Sequence, residues 1–210
     1  MSAYLDEEEQ VEALKNWWKE NGRSVIAGAV LGLAAIFGWQ GWQGWQRGQA
    51  EAASMLYEQM LGRLRAGDVD AAQSAGKRLL GEFTDSIYAS FAAMKLARTA
   101  YEKGESDTAV ENLQWVAAHA PDSVIGDLAR VRLVRLLVDA GKQERAERVL
   151  SEIQKDFMPA VVAELRGDIA RAKGDTAAAR EAYEAAMRAG ATNELVRMKH
   201  QALGKGGEAS

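Results

Sequence analysis

Cysteine is absent from the 210 residues. That excludes disulfides, thiolate metal sites and a lipid-modified cysteine anchor. Proline occurs only at Pro121 and Pro159, so little interrupts a helical chain. The only histidines, His119 and His200, stand apart from any metal-ligand spacing and read as surface residues at helix ends. Net charge is nearly absent too: −4 overall, with 23 basic and 24 acidic residues from Gln46 onward. Such a balance gives no field suited to nucleic acid. There is no glycine-rich phosphate loop, no HExxH and no GxSxG. Carboxylate pairs such as Glu181 and Glu184 sit among Arg and Lys and read as solvated charge. Nothing points to an enzyme, and no cofactor or metal is expected.

What is present begins with one uncharged stretch, Ser24 to Trp45, bounded by Arg23 and Arg47. As a helix its 22 residues would reach about 33 Å, near the thickness of a bilayer's hydrocarbon. Trp39, Trp42 and Trp45 at one end and Trp17 and Trp18 at the other form aromatic belts, since indole is apolar with a polar N–H. A surface-lying helix would need a polar face, and Val25 to Phe37 has none. A cleaved signal peptide would need small residues where this chain has Trp-Gln repeats. The spacing therefore predicts a single transmembrane helix over 24–45, in contact with membrane lipid. Lys15, Lys19 and Arg23 precede it and only Arg47 closely follows, which predicts a cytoplasmic N-terminus. In a bacterium that makes an inner-membrane protein with a periplasmic C-terminal domain. Gly28 and Gly32 form a GxxxG that would let a partner helix approach closely. Before the span, residues 1–23 form a stub. Within it 6–21 reads as a short amphipathic helix, stopped at Asn21-Gly22 and lying on the membrane through its tryptophans.

The remainder, 46–203, carries an internal repeat. Gly104, Gly141 and Gly174 lie 37 and 33 residues apart, near the roughly 34 of a tetratricopeptide unit. Five residues after each stands Ala109, Ala146 or Ala179, and nine after stands Leu113, Leu150 or Tyr183. Small residues Ala97, Val134 and Gly167 stand seven before. The glycine suits a left-handed corner between antiparallel helices, the alanine a close crossing, and the larger residue the space between them. A first, irregular unit around Gly67 keeps Ala72 but has Gly76 where the filler belongs. The pattern predicts helices near 47–66, 69–83, 87–103, 106–119, 123–140, 143–156, 159–173 and 176–189, with a capping helix near 192–203. The tail 204–210 is expected to be disordered. The fold class is all-α: one membrane helix, then a tetratricopeptide-like α-solenoid.

Stacked helix pairs curve, and the inner face of the curve binds polypeptide. Counting back from the glycines puts Phe91, Arg98, Tyr101, Val131, Arg135, Val138, Glu164, Asp168 and Arg171 on that face. Apolar side chains beside fixed charges suit an extended chain.

The segment QVEALKNWWKENGRSVIAGAVLGLAAIFGWQGWQ resembles the YfgM family, ancillary subunits of the bacterial Sec translocon. QVEA, a paired aromatic, ENG and a terminal GW stand there in order. The likeness continues in VVAELRGDIARAKGDTAAAREAYEAA and LVRMKHQAL, while the Trp39-Trp42-Trp45 series and the GKGGEAS tail depart from the pattern. The resemblance implies an inner-membrane protein whose tetratricopeptide-like periplasmic domain associates with SecYEG and with the chaperone PpiD, and contacts exported polypeptides. A scaffold for an envelope or cell-division complex, without client binding, is the alternative.

Overall fold

Among the described residues, five glycines turn the corners of this chain. Gly67, Gly104, Gly141, Gly174 and Gly190 have φ of 77°, 81°, 71°, 83° and 95°, a region where a Cβ is strained. At the first four, the next residue's N–H donates to a carbonyl five residues back. Asp68 reaches Arg63, Glu105 reaches Ala100, Lys142 reaches Leu137 and Asp175 reaches Ala170, at 2.8–2.9 Å. Each helix is thereby closed by the same motif, which satisfies its orphan carbonyls. The fifth corner, Gly190, lay outside the aligned glycines.

The computed structural model describes residues 3–190 and 194–205. Its elements are α1 (Ala3–Arg65), α2 (Val69–Glu82), α3 (Ile87–Glu102), α4 (Ser106–His119), α5 (Ser123–Asp139), α6 (Gln143–Ser151), α7 (Pro159–Ala172), α8 (Thr176–Arg188) and α9 (Glu194–Lys205). Among the described residues no strand occurs, so the fold is all-α. Side-chain caps start several helices: Asp68, Ser86, Asp122 and Asp175 accept from Ala71, Tyr88, Val124 and Ala178 N–H groups at 2.7–3.2 Å. Most of the tail, from Gly206 on, lies outside the described residues; Gly204 and Lys205 finish α9.

Two compact units divide the chain, Met1–Glu51 and Ala52–Ser210. In the first unit α1 runs on through Asn21-Gly22, where a stop was expected. The side chain of Asn21 donates back to the Trp17 carbonyl at 3.1 Å, so it caps nothing. Gly22 lies buried beneath the indole of Trp18, whose ring atoms sit 3.3 Å from where a Cβ would be. The glycine serves packing instead of a turn. α1 is long and apolar enough to cross a membrane, and its apolar side chains from Val25 to Trp45 are exposed.

In the second unit the core is a row of three clusters. Ala53, Leu56 and Met60 of α1 pack with Ala72 and Leu79 of α2 and with Ala89, Ala92 and Leu96 of α3. A larger cluster joins α3 through α7 around Val134, Leu137 and Leu165. A third holds Ala163, Ala179, Tyr183, Ala186 and Val196 from α7, α8 and α9. The alanines five after the corner glycines (Ala72, Ala109, Ala146, Ala179) are all fully buried, which is why nothing larger stands there. The irregular first unit has its own solution. Leu96 of α3 presses to 2.8 Å from the Cβ position of Gly76, so a neighbour fills the space the missing filler leaves.

α6 ends at Ser151, short of the expected 156. Asp127, 1 % exposed on α5, accepts from the Gln154 N–H at 3.3 Å and from Arg130 at 2.9 Å. Arg130 in turn donates to the Ala117 carbonyl at 3.0 Å. This buried polar knot draws residues 152–158 off the helical path, and Met158, at φ 44°, turns them into Pro159 at the start of α7.

Candidate functional site

Two adjoining cavities open on the side of the repeat lined by α3, α5 and α7. The larger, about 660 Å³, is lined chiefly by α3 and α5, with Tyr57 of α1 and Leu113 of α4. Tyr57 and Phe91 form its apolar end, ring centroids 6.3 Å apart, and Tyr88 packs on Tyr57 at 5.9 Å. Burial and the nearby Glu58 push the Tyr57 phenol above its ordinary pKa, so it stays a neutral hydrogen-bonding group. Around it stand Lys95, Arg98, Arg132 and Arg135, with Asp139 the carboxylate among the lining residues. Arg98 pairs with Glu102 at 2.7 Å on α3, and Arg132 Nη1 rests on the Met94 sulfur at 2.8 Å.

The smaller cavity, about 440 Å³, shares Arg135 and Asp139 with the first and is otherwise lined by Val138, Glu164, Leu165, Asp168 and Arg171, with Leu195 and Lys199 of α9. Its acids are already engaged. Lys199 Nζ donates to Glu164 and to Asp168, both at 2.7 Å, and the Tyr183 hydroxyl donates to Asp168 at 2.8 Å. Side-chain exposures of 16 %, 6 % and 14 % for Lys199, Glu164 and Asp168 mark this as a mostly desolvated cluster. Burial first, and then the hydrogen bond to Asp168, hold the Tyr183 phenol far above its usual pKa. The ring of Tyr183 lies against Gly167, where an added Cβ would be 2.5 Å from two ring carbons. Glycine seven before the corner and tyrosine nine after it are one packing unit.

The cavities bring together Phe91, Arg98, Tyr101 and Arg135 in one and Arg135, Val138, Glu164, Asp168 and Arg171 in the other. Val131 is the correction: it is 2 % exposed and belongs to the core cluster. α5 lies in the middle of the array, and that part of its surface is covered by neighbours. Glu164 is nearly buried as well, and meets the cavity as a neutralised partner of Lys199. Sequence reasoning missed Met94, Lys95 and Arg132. The first two lie one helical turn from Phe91 and Arg98, so the same stripe contained the signal. Lys199 and Leu195 carried no signal, because the capping helix has no place in the repeat period. Nothing beyond the local helix backbone lies within 4 Å of the Cβ positions of Gly28 and Gly32, so that face is open in this chain. His119 stacks on Trp115, ring centroids 4.7 Å apart, and His200 lies 3.3 Å from Glu184. Among the described residues no group of three side chains could hold a metal ion.

The tetratricopeptide repeat-like domain family matches residues 15–205. Over 202 residues the chain is 31 % identical to the ancillary SecYEG translocon subunit of Escherichia coli (strain K12), covering 95 % of this chain and 97 % of that one. It is 31 % identical over 201 residues to the protein of the same name from Haemophilus influenzae, covering 95 % and 98 %. The corresponding Neisseria gonorrhoeae protein is 27 % identical over 212 residues, covering 97 % and 100 %. No solved structure matches the chain significantly.

Proposed function

We propose, from the premise that this chain belongs to the family of ancillary SecYEG translocon subunits with a tetratricopeptide-like domain, that it is a non-enzymatic adaptor held beside the translocon by one membrane helix. Residues 24–45 form the span, 1–23 remain in the cytoplasm and 46–203 work in the periplasm. The orientation rests on Lys15, Lys19 and Arg23 standing before the span against Arg47 after it. The paired cavities along α3, α5 and α7 are the surface through which the repeat recruits a PpiD-like membrane-anchored chaperone and contacts emerging polypeptides. Their mixture of half-buried aromatic and exposed charged side chains suits an extended chain, which offers both backbone groups and alternating side chains. Gly28 and Gly32, open to neighbours, supply a surface for a translocon helix.

The observation that carries the reading is the near-complete, 31 % identical match to two proteins of that name. Affinity purification of the full chain in mild detergent tests it. SecYEG subunits should co-purify, and their absence under conditions that keep the translocon intact would overturn the proposal.

A further inference from the structure

The lining of the larger cavity is unbalanced in charge, and the imbalance is built into the fold. Lys95, Arg132 and Arg135 have no carboxylate partner among the described residues, while Arg98 has Glu102. Asp139, one turn after Arg135 on α5, is the one carboxylate in that lining, and Glu164 and Asp168 line only the neighbouring cavity. Lys199 of α9 holds both at 2.7 Å. The capping helix thus neutralises the acids next door, and with Lys95, Arg98, Arg132 and Arg135 against Asp139 alone the lining of the α3–α5 hollow is cationic, although the domain as a whole is close to neutral. The other half of the hollow is apolar, formed by Tyr57, Phe91 and Met94.

We propose that this hollow selects extended acidic segments of a protein partner, seating their aromatic or aliphatic side chains on Tyr57, Phe91 and Met94 and their carboxylates opposite Lys95, Arg132 and Arg135. The proposal rests on the adaptor reading and adds the chemistry of the ligand to it. Charge complementarity of this kind favours the right partner and raises its rate of encounter more than it adds raw affinity. The concave shape argues for a chain and against a bilayer. A flat surface of anionic headgroups would meet a convex or planar basic face, whereas these cations line a hollow of about 660 Å³. Basic segments are excluded by the same three side chains.

Full-length protein in nanodiscs of zwitterionic lipid, titrated with fluorescein-labelled peptides, tests this. One peptide alternates Glu with Leu and Phe; the others carry Lys or Gln for every Glu. The acidic peptide should bind about tenfold more tightly than the Gln peptide and lose that margin as salt rises. Arg135→Glu and Lys95→Glu should each weaken it about tenfold, and the double reversal should prefer the Lys peptide. Both positions are solvent-accessible, and unchanged thermal melts by circular dichroism establish that the variants fold. Equal binding of the three peptides by wild-type protein, or indifference to the charge reversals, overturns the inference. So does displacement of the acidic peptide by anionic lipid vesicles. If SecYEG still co-purifies in those cases, the selectivity has failed and the adaptor reading stands; loss of SecYEG from wild-type protein removes the adaptor reading itself.

Discussion

Gly167 and Tyr183 show how a single hydrogen atom decides a contact. Two opposing effects act on Gly167→Ala: alanine is favoured in a helix by about 1 kcal/mol, and overpacking costs about 1–3 kcal/mol. The clash should win, because the Tyr183 hydroxyl is pinned to Asp168 at 2.8 Å and its ring cannot slide away. Gly81, exposed in α2 with no atom near its Cβ position, is the control. Urea unfolding should show Gly167→Ala destabilising and Gly81→Ala stabilising by roughly 0.5–1 kcal/mol; equal signs would refute the packing account. Tyr183 also shapes the alkaline limb of stability. Its pKa is raised in the folded chain, so its contribution is whole below the unfolded value near 10.0 and falls as pH rises above it. Tyr183→Phe, costing about 1 kcal/mol at neutral pH, should flatten the loss of stability above pH 10; a slope identical to wild type would contradict this. The inner-face residues were legible at this scale only in part. Positions three and six before Gly104, Gly141 and Gly174 line the cavities as the counting implies (Tyr101, Val138, Arg171; Arg98, Arg135, Asp168). Ten before, Val131 and Glu164 are buried, because neighbouring helices pack over them, and no single-helix count contains a neighbour.

At the scale of elements, α9 closes the array electrostatically as well as by apolar cover. Val196 buries against Tyr183 and Ala186, and Lys199 spans Glu164 and Asp168 on α7. Lys199→Met keeps the stem and removes the charge, leaving two nearly buried carboxylates without their cation. Losing one partner of such a cluster costs about 3 kcal/mol. Hydrogen exchange should then quicken in α9 and the end of α7 while α2 to α4 stay protected. Uniform protection would mean the bridge contributes nothing. The periodic elements α2 to α5, α7 and α8 were readable within a residue or so, since corner glycine and buried alanine recur in register. The end of α6 was not, because the group that draws the chain away, Asp127, lies 27 residues before its partner Gln154 and acts through its side chain. α1 was misread for a related reason: Asn-Gly ordinarily stops a helix, but here Trp17 and Trp18 supply the partners that make the pair continue it.

For the whole molecule, the decisive quantity is where the solvent changes along the chain. Two fusions at the C-terminus, alkaline phosphatase and green fluorescent protein, check the proposed arrangement. Phosphatase activity is expected and fluorescence is not, and the reverse pattern would place 46–203 in the cytosol and end the chaperone reading. The apolar run and its flanking cations carried this expectation in the sequence, because a bilayer leaves a compositional trace. The cavities leave none, because their walls come from α3, α5, α7 and α9, which only the fold brings together.

α7 belongs to two cores at once. Leu165 and Ile169 lie in the cluster shared with α5 and α6, while Ala163 on the same helix lies in the cluster of α8 and α9. Among the described residues those clusters have no buried member in common. The helix is therefore a party wall: one face holds up the middle of the array and the other carries α8 and α9, so a loosened α7 would be felt on both sides.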